Sequence, residues 1–392
     1  MARGRQFLAF LLGSMVLVLT AAPASHAGLG DKLKKKVQSK VTQKVENKVD
    51  EKADEATGDD AATTESAEGT TAPSSGDEQV SEVSTKFDYV PGDKVLFFDD
   101  FTQDELGEFP AQWKLSIGTF EVVEQSGERW LRCTSDDGTV SMKVPEGPLP
   151  ESWTLEFDFY AKGEMQSALS VSGLGKTART DWCATWPNGP GLAFRSGDII
   201  SQTTFEGGSV EGRHHVMFMA RGKALKVYVD RQRLANVPEI SHADGAPMEL
   251  SIRLWSRVHP MITNVRYAEG CKPPKDMLAQ GKLVTYGIHF ESGSDVVLPD
   301  SAPVLRQIAA YMDANKGVKL AITGHTDNVG KTDENRDLSK RRAAAVAKVL
   351  VDQFKIAADR FTTDGKGDSE KVADNTTAAG RAMNRRVEFA KA

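Results

Sequence analysis

The chain has 392 residues, a net charge of −6, 27% charged residues and 7% aromatics. That length accommodates two or three domains, and so mild an acidity gives no bulk-charge argument for nucleic-acid binding. Three cysteines, Cys133, Cys183 and Cys271, are an odd count for an oxidising compartment, and their spacing does not suit a zinc site.

The first predicted element is a targeting segment. Arg3 and Arg5 precede an apolar stretch from Phe7 to Ala22, and Ser25 and Ala27 supply the small residues of a cleavage site. This pattern predicts a secretory signal over residues 1–27, cleaved after Ala27 and too short for a comfortable transmembrane helix. No cysteine lies beside the cleavage site to carry a lipid, and the long alternating strands of a membrane barrel are not evident.

Residues 28–52 place Leu33, Val37, Val41, Val45 and Val49 every four positions, flanked by eight lysines. On a helix this makes one slowly drifting apolar stripe that cannot bury itself. Contact with an anionic membrane or wall polymer, self-association and a weakly structured arm all remain open. Residues 53–86 are acidic and rich in Ser, Thr, Gly and Ala, with no Lys or Arg before Lys86. This composition predicts a disordered tether with a mean span of roughly 30 Å.

From 87 to 270 the pattern becomes short alternating runs divided by turn residues. In Thr154–Tyr160, Leu155, Phe157 and Phe159 face one way, and Glu156, Asp158 and Tyr160 the other. About ten such runs without a long helical one predict an antiparallel two-sheet sandwich, with Glu156 and Asp158 as exposed acids. The opening FFDDF run, the late HHVMFMARGKALKVYVD run and the closing MITNVRY run resemble the concanavalin A-like, laminin-G-like jelly roll. The turn after Asp230 lacks the usual glycine of that family, which predicts a longer or differently turned hairpin.

That fold hosts sugar binders, protein binders and glycosidases. Its enzymes often carry Glu-x-Asp-x-(x)-Glu on one strand; here Glu156 and Asp158 are followed by Tyr160 and Ala161, so the final acid is missing. The expected role is binding without catalysis, with an envelope glycosidase as the competing class. Asp99, Asp100 and Asn264 could supply calcium ligands, although no metal is expected overall. Trp182 and Trp186 beside the WPNGPG loop suit either a ligand rim or burial. Cys133 shares a strand face with Leu131 and reads as a small buried hydrophobe; a Cys133–Cys183 disulfide is the other option.

Residues 271–392 carry three ordered signatures: Gly324–Gly330 (GHTDNVG), Asn335–Ala343 (NRDLSKRRA) and Asn384–Glu388 (NRRVE). Leu320–Thr323 predicts a buried strand that Gly324 lets the chain leave, which puts Asp327 on a loop at its end. Apolar positions over 338–354 predict a helix started by Asp337 and Ser339, with Arg342 in its first turns. A carboxylate beside a guanidinium fork suits a zwitterion, and Arg pairs a carboxylate bidentately. His325 reads as a lone loop histidine with a hydrogen-bonding role.

These signatures resemble the OmpA-like peptidoglycan-binding domain. The resemblance implies an α+β fold and binding of the diaminopimelate residue of peptidoglycan stem peptides, with Asp327 taking the ammonium and Arg342 the carboxylate. It places Thr326 and Asn335 at the border of the pocket and Arg386 in the closing element. Lys371 stands where the family usually has proline. The expectation is therefore a multidomain periplasmic protein held to the wall and open to outer-membrane association, with an adhesion or assembly factor as a further alternative. Possible partners beyond the wall are a glycan or protein on the sandwich and a membrane on the lysine-rich helix. No cofactor and no nucleic acid are expected.

Overall fold

The computed structural model describes residues 79–392, except 145–146, 148, 162–168, 173–178, 187–188, 197–198, 207–210, 241–250 and 255–259. The expected signal, the lysine-rich segment and most of the acidic tether lie outside the described residues, and so do the side chains of Trp182, Cys183 and Trp186.

Fifteen strands precede the first α-helix among the described residues. They are β1 (Lys94–Asp99), β2 (Trp113–Ile117), β3 (Phe120–Gln125), β4 (Glu128–Cys133) and β5 (Gly138–Met142). Then come β6 (Ser152–Ala161), β7 (Leu169–Ser172), β8 (Arg179–Trp186), β9 (Gly189–Ser196) and β10 (Ile199–Thr204). The set closes with β11 (Gly212–Arg221), β12 (Ala224–Val229), β13 (Gln232–Val237), β14 (Ser251–Leu254) and β15 (Met261–Glu269).

They form two antiparallel sheets. One runs β13-β12-β11-β6-β15-β4-β3, with β1 also on β15; the other runs β10-β9-β8-β7-β14-β5-β2. Phe157, Phe218, Tyr267 and Leu131 of the first sheet meet Trp113, Val140 and Val171 of the second in one core. Leu155, Phe157 and Phe159 point into that core as their alternation predicts. Cys133 is buried with Leu131.

The β12–β13 hairpin is not the longer one of the two expected forms. Val229 pairs with Gln232, so the loop is only Asp230-Arg231. Asp230 takes φ 47°, the conformation a glycine would supply, and its carboxylate accepts from the His215 N–H at 2.9 Å.

The C-terminal part is α+β. Helix α1 (Pro274–Ala279) leads into β16 (Lys282–Thr285), α2 (Ala302–Ala314), β17 (Leu320–His325), α3 (Thr332–Asp352), β18 (Phe361–Gly367), α4 (Ala378–Asn384) and β19 (Val387–Lys391). The sheet order is β16-β19-β17-β18, and only β17 with β18 is parallel. Helix α2 buries Val304, Leu305, Ile308 and Met312 at helical intervals against this sheet.

Helix α3 begins six residues before the expected start. Asp333 and Glu334 fill its first turn, where acids favour the positive helix end, and Asp337 and Ser339 lie inside it. Arg342 is therefore near the middle of the helix. The chain also packs earlier than the expected end of the tether. Val80, Val83, Phe87, Tyr89 and Val90 share one apolar cluster with Met217, Met219 and Tyr228 of the first sheet and Leu305 and Ile308 of α2. Below them Asp88 accepts the Tyr228 hydroxyl at 2.7 Å and pairs with Lys226. Sandwich and C-terminal part are thus joined by a strap of chain that buries its apolar side chains against both.

Candidate functional site

Strand β17 ends where the helix α3 backbone comes very close. A Cβ on Gly324 would lie 2.2 Å from the Ser339 carbonyl oxygen, and one on Gly365 would lie 2.2 Å from the Lys340 nitrogen. Only glycine permits that approach. Ser339 Oγ then accepts the Gly367 N–H at 2.9 Å and locks the helix to the parallel strand pair.

The loop after β17 is fixed from the helix side. Asn335 donates through Nδ2 to the carbonyls of Asp327 at 3.2 Å and Val329 at 3.0 Å. Asp327 is buried; its Oδ1 accepts the Val329 N–H at 3.1 Å and its Oδ2 accepts Arg385 Nη1 at 2.6 Å. Thr326 is also buried, its N–H donates to Gly367, and its hydroxyl has no hydrogen-bond partner. Asn335 and Arg342, seven residues apart on α3, lie on nearly the same side of the helix.

Arg342 donates through Nε to the Ser294 carbonyl at 2.8 Å and lies over the Phe290 ring at 4.8 Å. Burial lowers its pKa, against the opposing pull of Asp295 and Asp327, so the Asp327 charge reaches it without a direct salt bridge. Arg386, the fifth expected residue, is turned elsewhere: its guanidinium donates to Glu388 Oε1 at 2.8 Å and to the Glu370 carbonyl at 3.1 Å. The neighbouring Arg385 is the one that meets Asp327, and it lies over the Phe98 ring at 5.8 Å. Sequence reasoning missed it; the doubled arginine of Asn384-Arg385-Arg386 was the available signal.

His325 is corrected too. It is buried, both ring nitrogens lack a hydrogen bond, and Nε2 stands 3.8 Å from Glu388 Oε1. Burial, and then the Arg386 charge, push its pKa down to about 4, so it is neutral at pH 7.

Arg342, Arg385 and His325 line a cleft of about 590 Å³ whose opposite wall belongs to the sandwich. There the expectation of two exposed acids fails. Glu156 and Asp158 are 6% and 8% exposed, and Tyr286, Ile288, His289, Phe290 and Ala382 of α4 line the same cleft. Glu156 Oε1 accepts Arg266 Nη1 at 3.0 Å. Asp158 accepts Arg213 Nη2 at 2.7 Å and Asn264 Nδ2 at 2.8 Å on one oxygen, and pairs with His215 Nδ1 at 2.8 Å on the other. A bulge in β15, with Asn264 at φ 53°, aims both Asn264 and Arg266 at these acids.

The charges follow from the partners. Burial opposes ionisation of Glu156, but the His215 imidazole and the Arg266 guanidinium outweigh it and bring the carboxyl down to about 2. Asp158 is lowered further, again against burial, chiefly by His215 and Arg213. His215 rises well above its usual range, because the same two carboxylates outweigh the cost of burying its charge. Neither acid is poised as the protonated general acid that glycoside hydrolysis requires.

The calcium candidates do not converge. Asp99 accepts the Phe101 N–H and the Trp113 Nε1–H, both at 2.9 Å; Asp100 caps Thr102; Asn264 faces Asp158. Both Asp99 oxygens, Asp100 Oδ1 and the Asn264 amide nitrogen already serve protein partners.

Residues 289–385 match the OmpA family. Outer membrane porin F of Pseudomonas fluorescens is 40% identical over 111 residues, 28% of this chain and 34% of that protein. Peptidoglycan-binding protein ArfA of Mycobacterium bovis is 36% identical over 174 residues, 42% of this chain and 52% of that protein. The solved peptidoglycan-associated lipoprotein from Burkholderia pseudomallei is 26% identical, with a TM-score of 0.26, over 29% of this chain and 92% of that one. The chain spans between about a third and a half of the length of the curated relatives it matches.

Proposed function

We propose that the chain is an exported cell-envelope protein whose OmpA-like C-terminal domain, over residues 271–392, fastens it without covalent bonds to peptidoglycan. The ligand is the diaminopimelate residue of the stem peptide. Asp327 takes its ammonium and Arg342 its carboxylate, with Thr326 and Asn335 shaping the loop and Arg386 holding the strand that starts beside it. The observation that carries this reading is the convergence of the Asp327 loop, clamped by Asn335, with Arg342 on the same helix. A ligand carboxylate drawing Arg385 aside would free Asp327 Oδ2 for the ammonium.

The names of the matched relatives support the reading, since one is a peptidoglycan-binding protein and another an outer membrane porin. The two-sheet region is taken as a concanavalin A-like domain that binds a glycan or protein partner and has no catalytic role. Its outward acids are held ionised by arginine and histidine, which suits recognition rather than proton transfer.

Cosedimentation of the full chain with diaminopimelate-type peptidoglycan tests this. Asp327→Ala and Arg342→Ala each remove a charged partner worth about 1.5–3 kcal/mol, so affinity should fall roughly ten- to a hundredfold. Variants that fold and still sediment like the parent would overturn the pocket assignment.

A further inference from the structure

The cleft has two walls; of the five residues assigned to wall binding, Arg342 and Arg386 line one of them, and Thr326, Asp327 and Asn335 do not line the cleft. On the sandwich side, Glu156 Oε2 is buried and has no hydrogen bond, while His215 Nε2 stands 3.7 Å from it, too far for a hydrogen bond and likewise without one. Across the cleft the buried His325 nitrogens are unpartnered too. Glu156 and His215 already attract each other as opposite charges, but neither of these two atoms makes the hydrogen bond that buried polar atoms nearly always have, so both retain the capacity for one.

The partner's chemistry can be read from the pair. Glu156 Oε2 is an acceptor. The charged His215 ring donates at both nitrogens, and Nδ1 is already engaged by Asp158, which leaves Nε2 as a donor 3.7 Å from that oxygen. An acceptor and a donor 3.7 Å apart complement an extended peptide residue, whose own N–H and C=O lie on one side, as in a hydrogen-bonded strand pair. The other wall, with Arg342 and Arg385, complements a carboxylate. A cleft of about 590 Å³ is of the size that holds a small ligand.

We propose that the cleft is one composite site: a carboxylate-ended peptide lies extended across it, its carboxylate at Arg342 and Arg385 and a backbone N–H and C=O at Glu156 and His215. The sandwich is then the second half of the wall-binding site and selects for peptide backbone. This rests on the peptidoglycan reading and adds to it a role for the first sheet.

The probe is a soluble alanyl-glutamyl-diaminopimelate tripeptide titrated into the full chain by calorimetry, with the histidine rings followed by side-chain ¹H–¹⁵N correlation spectra. Glu156→Gln and His215→Gln should each weaken binding roughly tenfold, and the His215 ring signals of the parent should shift on saturation. The spectra of the unmutated protein keep the test valid if either variant unfolds. If Arg342→Ala loses the tripeptide while both sandwich variants bind like the parent and the His215 signals stay in place, the composite site is wrong and the wall-binding reading survives. If the parent does not bind the tripeptide or peptidoglycan, both fall.

Discussion

Asp99 on β1 and Glu156 on β6 lie in one sheet and are both removed from water, at 1% and 6% exposure. Their charges nevertheless go opposite ways. Burial pushes Asp99 up to about 7, since its partners, the Phe101 N–H and the Trp113 indole, are neutral and only partly offset the loss of water. Glu156 suffers the same burial and still falls to about 2, because a guanidinium and an imidazolium face it. Burial sets the cost of a charge; the charge of the neighbours decides whether the cost is met.

The largest effect that can break this comparison is removal of the guanidinium. Arg266→Ala leaves Glu156 buried beside His215 alone and also vacates the Gly92 carbonyl that Arg266 holds at 2.6 Å. Breaking such a pair costs about 3–5 kcal/mol, so the urea midpoint should fall steeply. A loss below about 1 kcal/mol would mean that the network is not what keeps Glu156 ionised.

Next in size is a contrast in pH. Asp99 has a folded pKa raised above its ordinary 3.8, so its penalty is absent below about pH 4 and complete above about pH 7. Relative to the parent, Asp99→Asn should therefore gain stability as pH rises from 4 to 8, by on the order of 1.4 kcal/mol per unit of pKa displacement. Glu156 has the opposite sign: its folded pKa is below the ordinary 4.5, so its contribution is present above that pH and is lost as pH falls through about 2. Urea titrations of parent and variant at pH 4, 6 and 8 check the Asp99 sign, and a difference that does not move with pH refutes it. The smallest effect belongs to a pair in water. Lys94 and Glu269 meet at 2.8 Å but are 69% and 42% exposed, so Lys94→Ala should change stability by less than about 1 kcal/mol.

How much of this could be read beforehand depends on what the residues themselves encode. Alternation along Thr154–Tyr160 correctly gave the core face, because Leu155, Phe157 and Phe159 leave no other choice. It also put Glu156 and Asp158 in solvent, since a period of two says which side a residue takes and nothing about what later covers that side. The residues that share the cleft with them, Tyr286, His289, Arg342 and Arg385 among them, come from far along the chain. The described residues hold fifteen strands where about ten runs were expected, because small and polar residues dilute the pattern of β8, β9, β10 and β13, as in Ile199–Thr204.

In the C-terminal part the short signatures were legible because close packing demands them: Gly324 and Ser339 must touch for Asp327 and Arg342 to share a neighbourhood. Which of the adjacent arginines would reach Asp327 was not legible. Arg385 and Arg386 precede β19 side by side, and only the folded chain shows one turned to Asp327 and the other to Glu388. The helix start was misplaced for a related reason. Asp337 and Ser339 are good cap residues, but the helix had already begun over Thr332–Asn335.

The strap of residues 80–90 also determines the route of a mechanical load. Sequence order puts the sandwich between the N-terminal segments and the C-terminal domain. Yet Arg306 of α2 grips the carbonyls of Val83 and Phe87 at 2.7 Å, and Gln353 after α3 accepts the Ser81 N–H at 3.0 Å. Tension applied to the chain before Val80 therefore meets the contacts of Ser81 and Val83 with the C-terminal domain before it reaches the contacts of Asp88 with the sandwich.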